Sequence, residues 1–225
     1  VTFCEIFPPD DFPLYFYRLP SAPDLQIRAD ELDADAIRGA GVFWVTGTGL
    51  CEEPSRSATL AALRIRAEAP GAAAGITVLD LDYREMFWTS REEARRWLQE
   101  ALPYATVAVG NLDECYTAVA ERAPAAAAKA LRDRGADLAV VKQGPRGVLA
   151  VDSSGAVEVP PVPVQVVNGL GAGDAFGGAL CHGLLAGWET ARVMRFANAA
   201  GAIVAGRLAC SDAMPTLEEV QVYVR

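Results

Sequence analysis

The chain has 225 residues, 52% hydrophobic and 22% charged, with 20 Lys and Arg against 29 Asp and Glu for a net charge of −9. That length carries one α/β domain with a sizeable core, and the hydrophobic content argues against disorder. The acidic balance argues against a nucleic-acid partner, and with no apolar run of membrane length and no signal peptide, a cytoplasmic protein without a membrane partner is expected.

Five scattered cysteines (Cys4, Cys51, Cys115, Cys181, Cys210) lack CxxC spacing and are read as reduced core thiols. The single histidine, His182, lies in an apolar helix and is read as core, so zinc is not expected. The chain opens on Val1-Thr2-Phe3-Cys4-Glu5-Ile6-Phe7, already strand-like and without an initiator methionine, so a segment ahead of it is expected. Residues 1–18 read as two β-runs around Pro8-Pro9-Asp10-Asp11, with Phe12, Leu14 and Phe16 on one covered face. A linker at 21–24 follows. Then come a helix at 30–40, a strand at 42–46, a helix at 55–69 and a strand at 76–80. A capping box, Ser90-Arg91-Glu92-Glu93, opens a helix to Ala101. Next are a strand at 106–109, helices at 112–122 and 125–134, the second ended by Gly135, and strands at 138–142 and 148–151. An apolar strand-like run at 164–167 leads to a helix at 175–185. The chain ends with an alanine-rich helix at 190–207 and a helix opened by the box Thr216-Leu217-Glu218-Glu219. Strands alternating with helices predict βαβ units, a mostly parallel sheet covered on both faces, and ligands at the carboxyl ends of its strands.

One stretch organises the rest: Val166-Val167-Asn168-Gly169-Leu170-Gly171-Ala172-Gly173-Asp174-Ala175-Phe176. A run that turns through glycines into a helix N-terminus presents free backbone N–H groups at the positive end of the helix dipole, an anion site. Glycines let an anionic oxygen approach those groups. Asp174 has two compatible readings: an N-cap, or a general base beside an oxyanion or phosphate hole. A Walker A loop needs Lys-Ser/Thr where Asp174-Ala175 stands, and a G-x-G-x-x-G fingerprint starting at Gly171 meets Phe176 at its third glycine, so neither motif fits.

Other polar clusters follow strands. Asp80-Leu81-Asp82-Tyr83-Arg84 offers either an internal acid–arginine pair or an arginine for a carboxylate or phosphate. Asn111-Leu112-Asp113-Glu114 reads as an N-cap, with Glu114 as a carboxylate for hydrated Mg²⁺. Lys142-Gln143-Gly144-Pro145-Arg146-Gly147 is either a hairpin turn or a nucleotide contact. Asn198 is either a helix-surface amide or a donor to a base.

Gly171-Ala172-Gly173-Asp174 before Ala175-Phe176, with Asn111-x-x-Glu114 upstream and Gly144-x-x-Gly147 between, resembles the ribokinase/PfkB family of carbohydrate kinases along essentially the whole chain. Within it, Phe43 to Leu50, Leu79 to Arg84, Val109 to Glu114 and Ala209 to Thr216 resemble the 5-dehydro-2-deoxygluconokinases of myo-inositol catabolism. The resemblance implies a three-layer α/β/α fold with a mostly parallel central sheet at residues 29–225 and the remnant of a small β lid at residues 1–28. It implies ATP and Mg²⁺ as cofactors and a sugar-acid acceptor, with a homodimer through the lid in a full-length protein. Asp174 is then the base, and the amides of Gly171, Ala172 and Gly173 form the anion hole. Lys142, Gly144, Gly147 and Asn198 lie along ATP. Asn111 and Glu114 organise phosphates and metal, Glu114 through water, and Arg84 sits near the transferred phosphate or the substrate carboxylate. Two departures stand out. Asn168-Gly169 replaces the usual Asp-Thr, which leaves monovalent-cation activation open. The family's first strand and Gly-Gly sugar motif are expected ahead of Val1, so little turnover is expected of these 225 residues alone. The other readings are a kinase of 2-keto-3-deoxygluconate, fructose or ribose, an inactive nucleotide-binding fragment, and, more distantly, a Rossmann dehydrogenase.

Overall fold

At the start of the chain, β1 (Thr2–Cys4) and β2 (Leu14–Phe16) pair antiparallel in the computed structural model, which describes residues 1–9, 11–68 and 75–224. Phe12, Leu14 and Phe16 are half-buried while Tyr15 and Tyr17 are exposed, the one-sided pattern that the alternation predicts. Asp10 of the predicted turn lies outside the described residues. So does Ala69 of the predicted second helix.

The chain divides into two units, Pro20–Gln143 with Leu149–Val157, and Val1–Leu19 with Gly144–Val148 and Glu158–Arg225. The first begins with α1 (Ala34–Gly39). The sequence predicts a helix from residue 30, but Asp33 accepts from the N–H groups of Asp35 and Ala36 at 3.1 and 2.9 Å, and that cap sets the start. There follow β3 (Val42–Thr46), α2 (Ser55–Ala67), β4 (Ile76–Asp80), α3 (Arg91–Ala101) and β5 (Val107–Asn111). Then come α4 (Leu112–Val119), α5 (Pro124–Arg132), β6 (Leu138–Lys142), β7 (Val148–Asp152) and β8 (Gly155–Val159). The helix predicted to reach residue 122 stops earlier because Ala120 turns into the left-handed region at φ 63° and Pro124 opens α5. At α3 the predicted box is half made. Ser90 caps the Glu93 N–H at 3.1 Å, but the Glu93 carboxylate bonds Thr89, through its N–H at 3.2 Å and its Oγ1 at 2.6 Å.

The sheet order is β3-β4-β5-β6-β7-β8, and the first four strands run parallel in register, Thr46 opposite Asp80, Asp80 opposite Val109 and Asn111 opposite Lys142. These strands are near-continuous apolar runs because helices cover them. Leu79, Leu81, Leu98, Leu102 and Leu131 are fully buried in the core of this unit, each stabilising it by about 1.5–3 kcal/mol relative to exposure. Trp88 and Trp97 pack against that core.

In the second unit, α6 (Ala172–Leu185) and α7 (Thr190–Ala205) pack together, followed by α8 (Leu217–Tyr223). Residues 164–167 are not a strand. The Val167 and Asn168 N–H groups both donate to Ala205 O at the end of α7, and Pro160, Pro161 and Pro163 remove ladder donors just ahead of them. The helix expected from residue 175 begins earlier, at Ala172. His182 is exposed rather than core and meets Trp188 edge-on at 5.2 Å. Of the cysteines, all free, Cys51 and Cys115 are buried as predicted, while Cys4, Cys181 and Cys210 are half-buried. No described helix is long and apolar enough to cross a membrane.

Candidate active site

The carboxyl edge of β4, β5 and β6 collects polar side chains on one sheet face. Asn111 and Lys142 are register partners, and Asp80 is opposite Val109, two residues before Asn111. Asn111 Oδ1 accepts from the Asp113 and Glu114 N–H groups, both at 2.9 Å, and Glu114 Oε2 accepts from the Asn111 N–H at 2.6 Å. This complete capping box realises the N-cap reading of Asn111, gives Glu114 a part that the sequence reading did not include, and leaves Glu114, only 6% exposed, with Oε1 outside the box. Asp80, half-buried, lies beside them on the same sheet face. Burial pushes its carboxyl up to about 7, with Glu114 and Asp82 adding to the rise and Lys142 opposing it. In the Asp80–Arg84 stretch the internal pair is formed, Arg84 Nε to Asp82 Oδ1 at 2.9 Å, with the arginine side chain 39% exposed. Thr48, absent from the sequence-based candidates, donates to Asp82 Oδ2 at 2.6 Å. A threonine between glycines directly after a buried strand was the available signal.

The glycine turn belongs to the other unit. Asp174 is not the N-cap. Gly171 occupies that position at φ 87°, which only a glycine adopts without strain, and Asp174 is the third helical residue. With no side chain at the cap, α6 has no capping bond. Among the described residues the N–H groups of Gly171, Gly173 and Asp174 have no acceptor, and the Ala172 N–H makes only a long 3.4 Å contact to Gly169 O. Asp174 is exposed on the same turn as these bare donors and borders a cleft of about 340 Å³ whose walls include Phe196, Met214 and Leu217. Asn168 is buried and holds the turn from below, donating to Leu208 O at 2.8 Å and accepting from the Leu170 N–H at 3.0 Å. Cys210 packs behind the turn, its Sγ 3.4 Å from where a Gly171 Cβ would stand, and burial followed by the nearby Asp174 and Cys4 raises its thiol. No sequence signal marked that contact.

Gly144 to Arg146 is a 3-10 turn closed by the Gly147 N–H on Gly144 O at 3.0 Å. A Cβ at Gly147 would stand 2.1 Å from Val159 O, so the turn tolerates no side chain there. Asn198 Nδ2 donates to Pro160 O at 2.7 Å, tying the proline-rich segment to α7. The turn residues Gly144 and Gly147 and the amide of Asn198 thus have structural work in the second unit, while Arg84, Asn111, Glu114 and Lys142 gather at the sheet edge in the first. Among the described residues no group of three or more His, Cys, Asp or Glu side chains is gathered to hold a metal. Mg²⁺ suits such an edge because it takes one or two carboxylates together with phosphate oxygens and water.

The sequence profile of the pfkB family of carbohydrate kinases matches residues 14–217. The whole chain aligns with the 5-dehydro-2-deoxygluconokinase of Shouchella clausii at 35% identity, covering 68% of that protein, and with that of Geobacillus thermodenitrificans at 31%, covering 67%. The chain therefore spans about two thirds of the length of these relatives. Its fold is similar to fructokinase of Vibrio cholerae, with a TM-score of 0.82 at 23% identity over 95% of this chain and 68% of that one. It is likewise similar to aminoimidazole riboside kinase of Salmonella enterica, with a TM-score of 0.76 at 24% identity over 91% and 68%. These likenesses make the α/β fold ribokinase-like.

Proposed function

The chain belongs to the pfkB family of carbohydrate kinases, and we propose that its acceptor is a sugar acid, 5-dehydro-2-deoxy-D-gluconate, phosphorylated at its 6-hydroxyl in myo-inositol breakdown. The acceptor assignment is supported by the 35% identity over the whole chain to a relative of that name. The observation that carries the chemistry is the bare start of α6, where a glycine cap leaves N–H donors without acceptors beside an exposed carboxylate.

In this proposal Asp174 takes the proton from the acceptor hydroxyl. The amides of Gly171, Ala172 and Gly173 stabilise the negative charge on the group being transferred. Phosphoryl transfer needs positioning and charge neutralisation more than covalent help, and fixed dipoles at a helix start supply both without reorganising. Lys142, Gly144, Gly147 and Asn198 are the proposed ATP contacts. Asn198 keeps its second amide hydrogen after bonding Pro160 O, and Lys142 brings positive charge to the sheet edge. Asn111 and Glu114 are proposed to face the phosphates and Mg²⁺, Glu114 through water from Oε1. The metal, when bound, supplies charge neutralisation on the phosphates. Arg84, partly exposed beside Asp82, is proposed to bind the acceptor carboxylate or the transferred phosphate. The turn is held by neutral bonds from Asn168, which supports a hole that needs no monovalent cation.

Coupled-assay measurement of ADP release by the full-length protein with 5-dehydro-2-deoxygluconate, 2-keto-3-deoxygluconate, fructose and ribose tests the assignment. The highest kcat/KM is expected with the first. A higher value with fructose or ribose would replace the sugar-acid assignment.

A further inference from the structure

Strands β3 and β4 end in register, Thr46 opposite Asp80, and two residues beyond each end stand Thr48 and Asp82. Thr48 Oγ1 donates to Asp82 Oδ2 at 2.6 Å, while the other carboxylate oxygen pairs with Arg84 Nε at 2.9 Å. One carboxylate therefore bridges a hydroxyl on the neighbouring loop and a guanidinium on its own. The approach is close, since a Cβ on Gly47 would stand 2.2 Å from Leu81 O, and only a glycine ahead of Thr48 lets the two loops meet. Asp82 holds φ 26°, a left-handed conformation that costs any residue with a Cβ free energy and persists where its surroundings over-determine it.

Stability does not account for this arrangement. The Arg84 side chain is 39% exposed and that of Asp82 21%, and ion pairs open to solvent contribute little to folding. What the bridge does supply is orientation. With Nε held by Asp82, the two Nη groups, which carry no hydrogen bond among the described residues, form a fork that matches two anionic oxygens. We infer that Thr48 and Asp82 are positioning residues that fix Arg84 at the carboxyl edge of the sheet, ready for a carboxylate of the acceptor or a phosphate of the nucleotide. The inference deepens the proposed kinase site and rests on the anion-binding role proposed there for Arg84.

A double-mutant cycle in the full-length protein tests it, with Arg84→Ala, Thr48→Val and the two combined. KM for the sugar acid and KM for ATP are measured separately, and thermal melts accompany each variant. Thr48→Val is expected to raise one KM roughly tenfold or more, the factor for losing a hydrogen bond to a charged group, with kcat retained. Thr48→Ser is expected to restore it. In the Arg84→Ala background Thr48→Val is expected to add nothing. A rise in KM for the sugar acid identifies the carboxylate as the anion, and a rise for ATP identifies the phosphate. The same added penalty with and without Arg84 would overturn the positioning role. So would an effect of Arg84→Ala that Thr48→Val does not share. Arg84→Ala leaving both KM values unchanged would instead refute the proposed role of Arg84, and the inference with it. If Thr48→Val melts early, the isosteric Asp82→Asn carries the same cycle.

Discussion

Helices α4 and α6 both open with residues that the sequence marks as functional, yet their first turns are finished in opposite ways. At α4, Asn111 and Glu114 exchange hydrogen bonds until the donors of Asn111, Asp113 and Glu114 are all satisfied. At α6, the cap is a glycine and the donors of Gly171, Gly173 and Asp174 are left open. A helix start capped in this way contributes about 1 kcal/mol to stability and has few donors left to offer. An open one gives up that contribution and keeps both the dipole and the N–H groups for a negatively charged ligand. On the proposed reading, α6 offers its bare donors to an anion, while the α4 box is self-satisfied and leaves Glu114 Oε1 as the group to face the metal, although both starts carry a carboxylate in the first turn.

The largest expected consequence of that difference is on turnover. Asp174→Asn removes the proposed base and no cap, so kcat is expected to fall by about 10²–10⁴-fold while the thermal midpoint is unchanged. ADP release and differential scanning calorimetry on the same sample read both. A lower melting point with kcat preserved would make Asp174 a structural residue.

Next in size is the titration of Asp80, on the α4 side of the comparison. Its folded carboxyl stands at about 7 against an ordinary 3.8. The stability from its protonated form is therefore fully present below the ordinary value and is lost as pH rises through about 7. At about 1.4 kcal/mol per unit the change is on the order of 4 kcal/mol. Urea unfolding of the wild type between pH 4 and 8 should show this fall, and Asp80→Asn should flatten it. Parallel profiles for the two proteins would contradict the burial argument.

Gly171→Ala brings a side chain to φ 87° and to within 3.4 Å of Cys210, at an expected cost of about 1–3 kcal/mol, with kcat lowered because the turn carries the proposed hole. Asn111→Ala should cost a similar or smaller amount, about 0.5–2 kcal/mol, and should be largely recovered by Asn111→Asp, which keeps the cap acceptor. An unchanged kcat in Gly171→Ala would contradict the hole proposed at that turn. The smallest effect expected is none at all. Because Asn168 holds its turn through neutral bonds to Leu208 and Leu170, replacing K⁺ by tetramethylammonium should leave the rate unchanged.

The central strands were legible because burial on both faces leaves an unbroken apolar run, as at Leu138–Lys142 of β6 and Val42–Thr46 of β3. β8 escaped notice because Gly155–Val159 is mostly exposed and carries only a weak alternation. Residues 164–167 misled in the other direction, since valines read as strand whether or not a neighbouring strand exists to accept their bonds, and here the acceptor is the end of a helix. At the site, the residue types and their order along the chain announced the chemistry. Local sequence could not distinguish Asp174 as cap from Asp174 as third helical residue, because that depends on whether Gly171 takes a positive φ. Nor could it show that Asp82 binds Thr48, a contact made across 34 residues.

The bare start of α6 is tested most directly by amide NMR of the ¹⁵N-labelled protein titrated with a non-hydrolysable ATP analogue and Mg²⁺ in the presence of the sugar acid. The N–H resonances of Gly171, Ala172 and Gly173 are expected to shift downfield as they gain an anionic acceptor, while those of Asp113 and Glu114, already bonded to Asn111, keep their hydrogen-bonded positions. Saturation of nucleotide binding with the three α6 resonances unmoved would contradict the account.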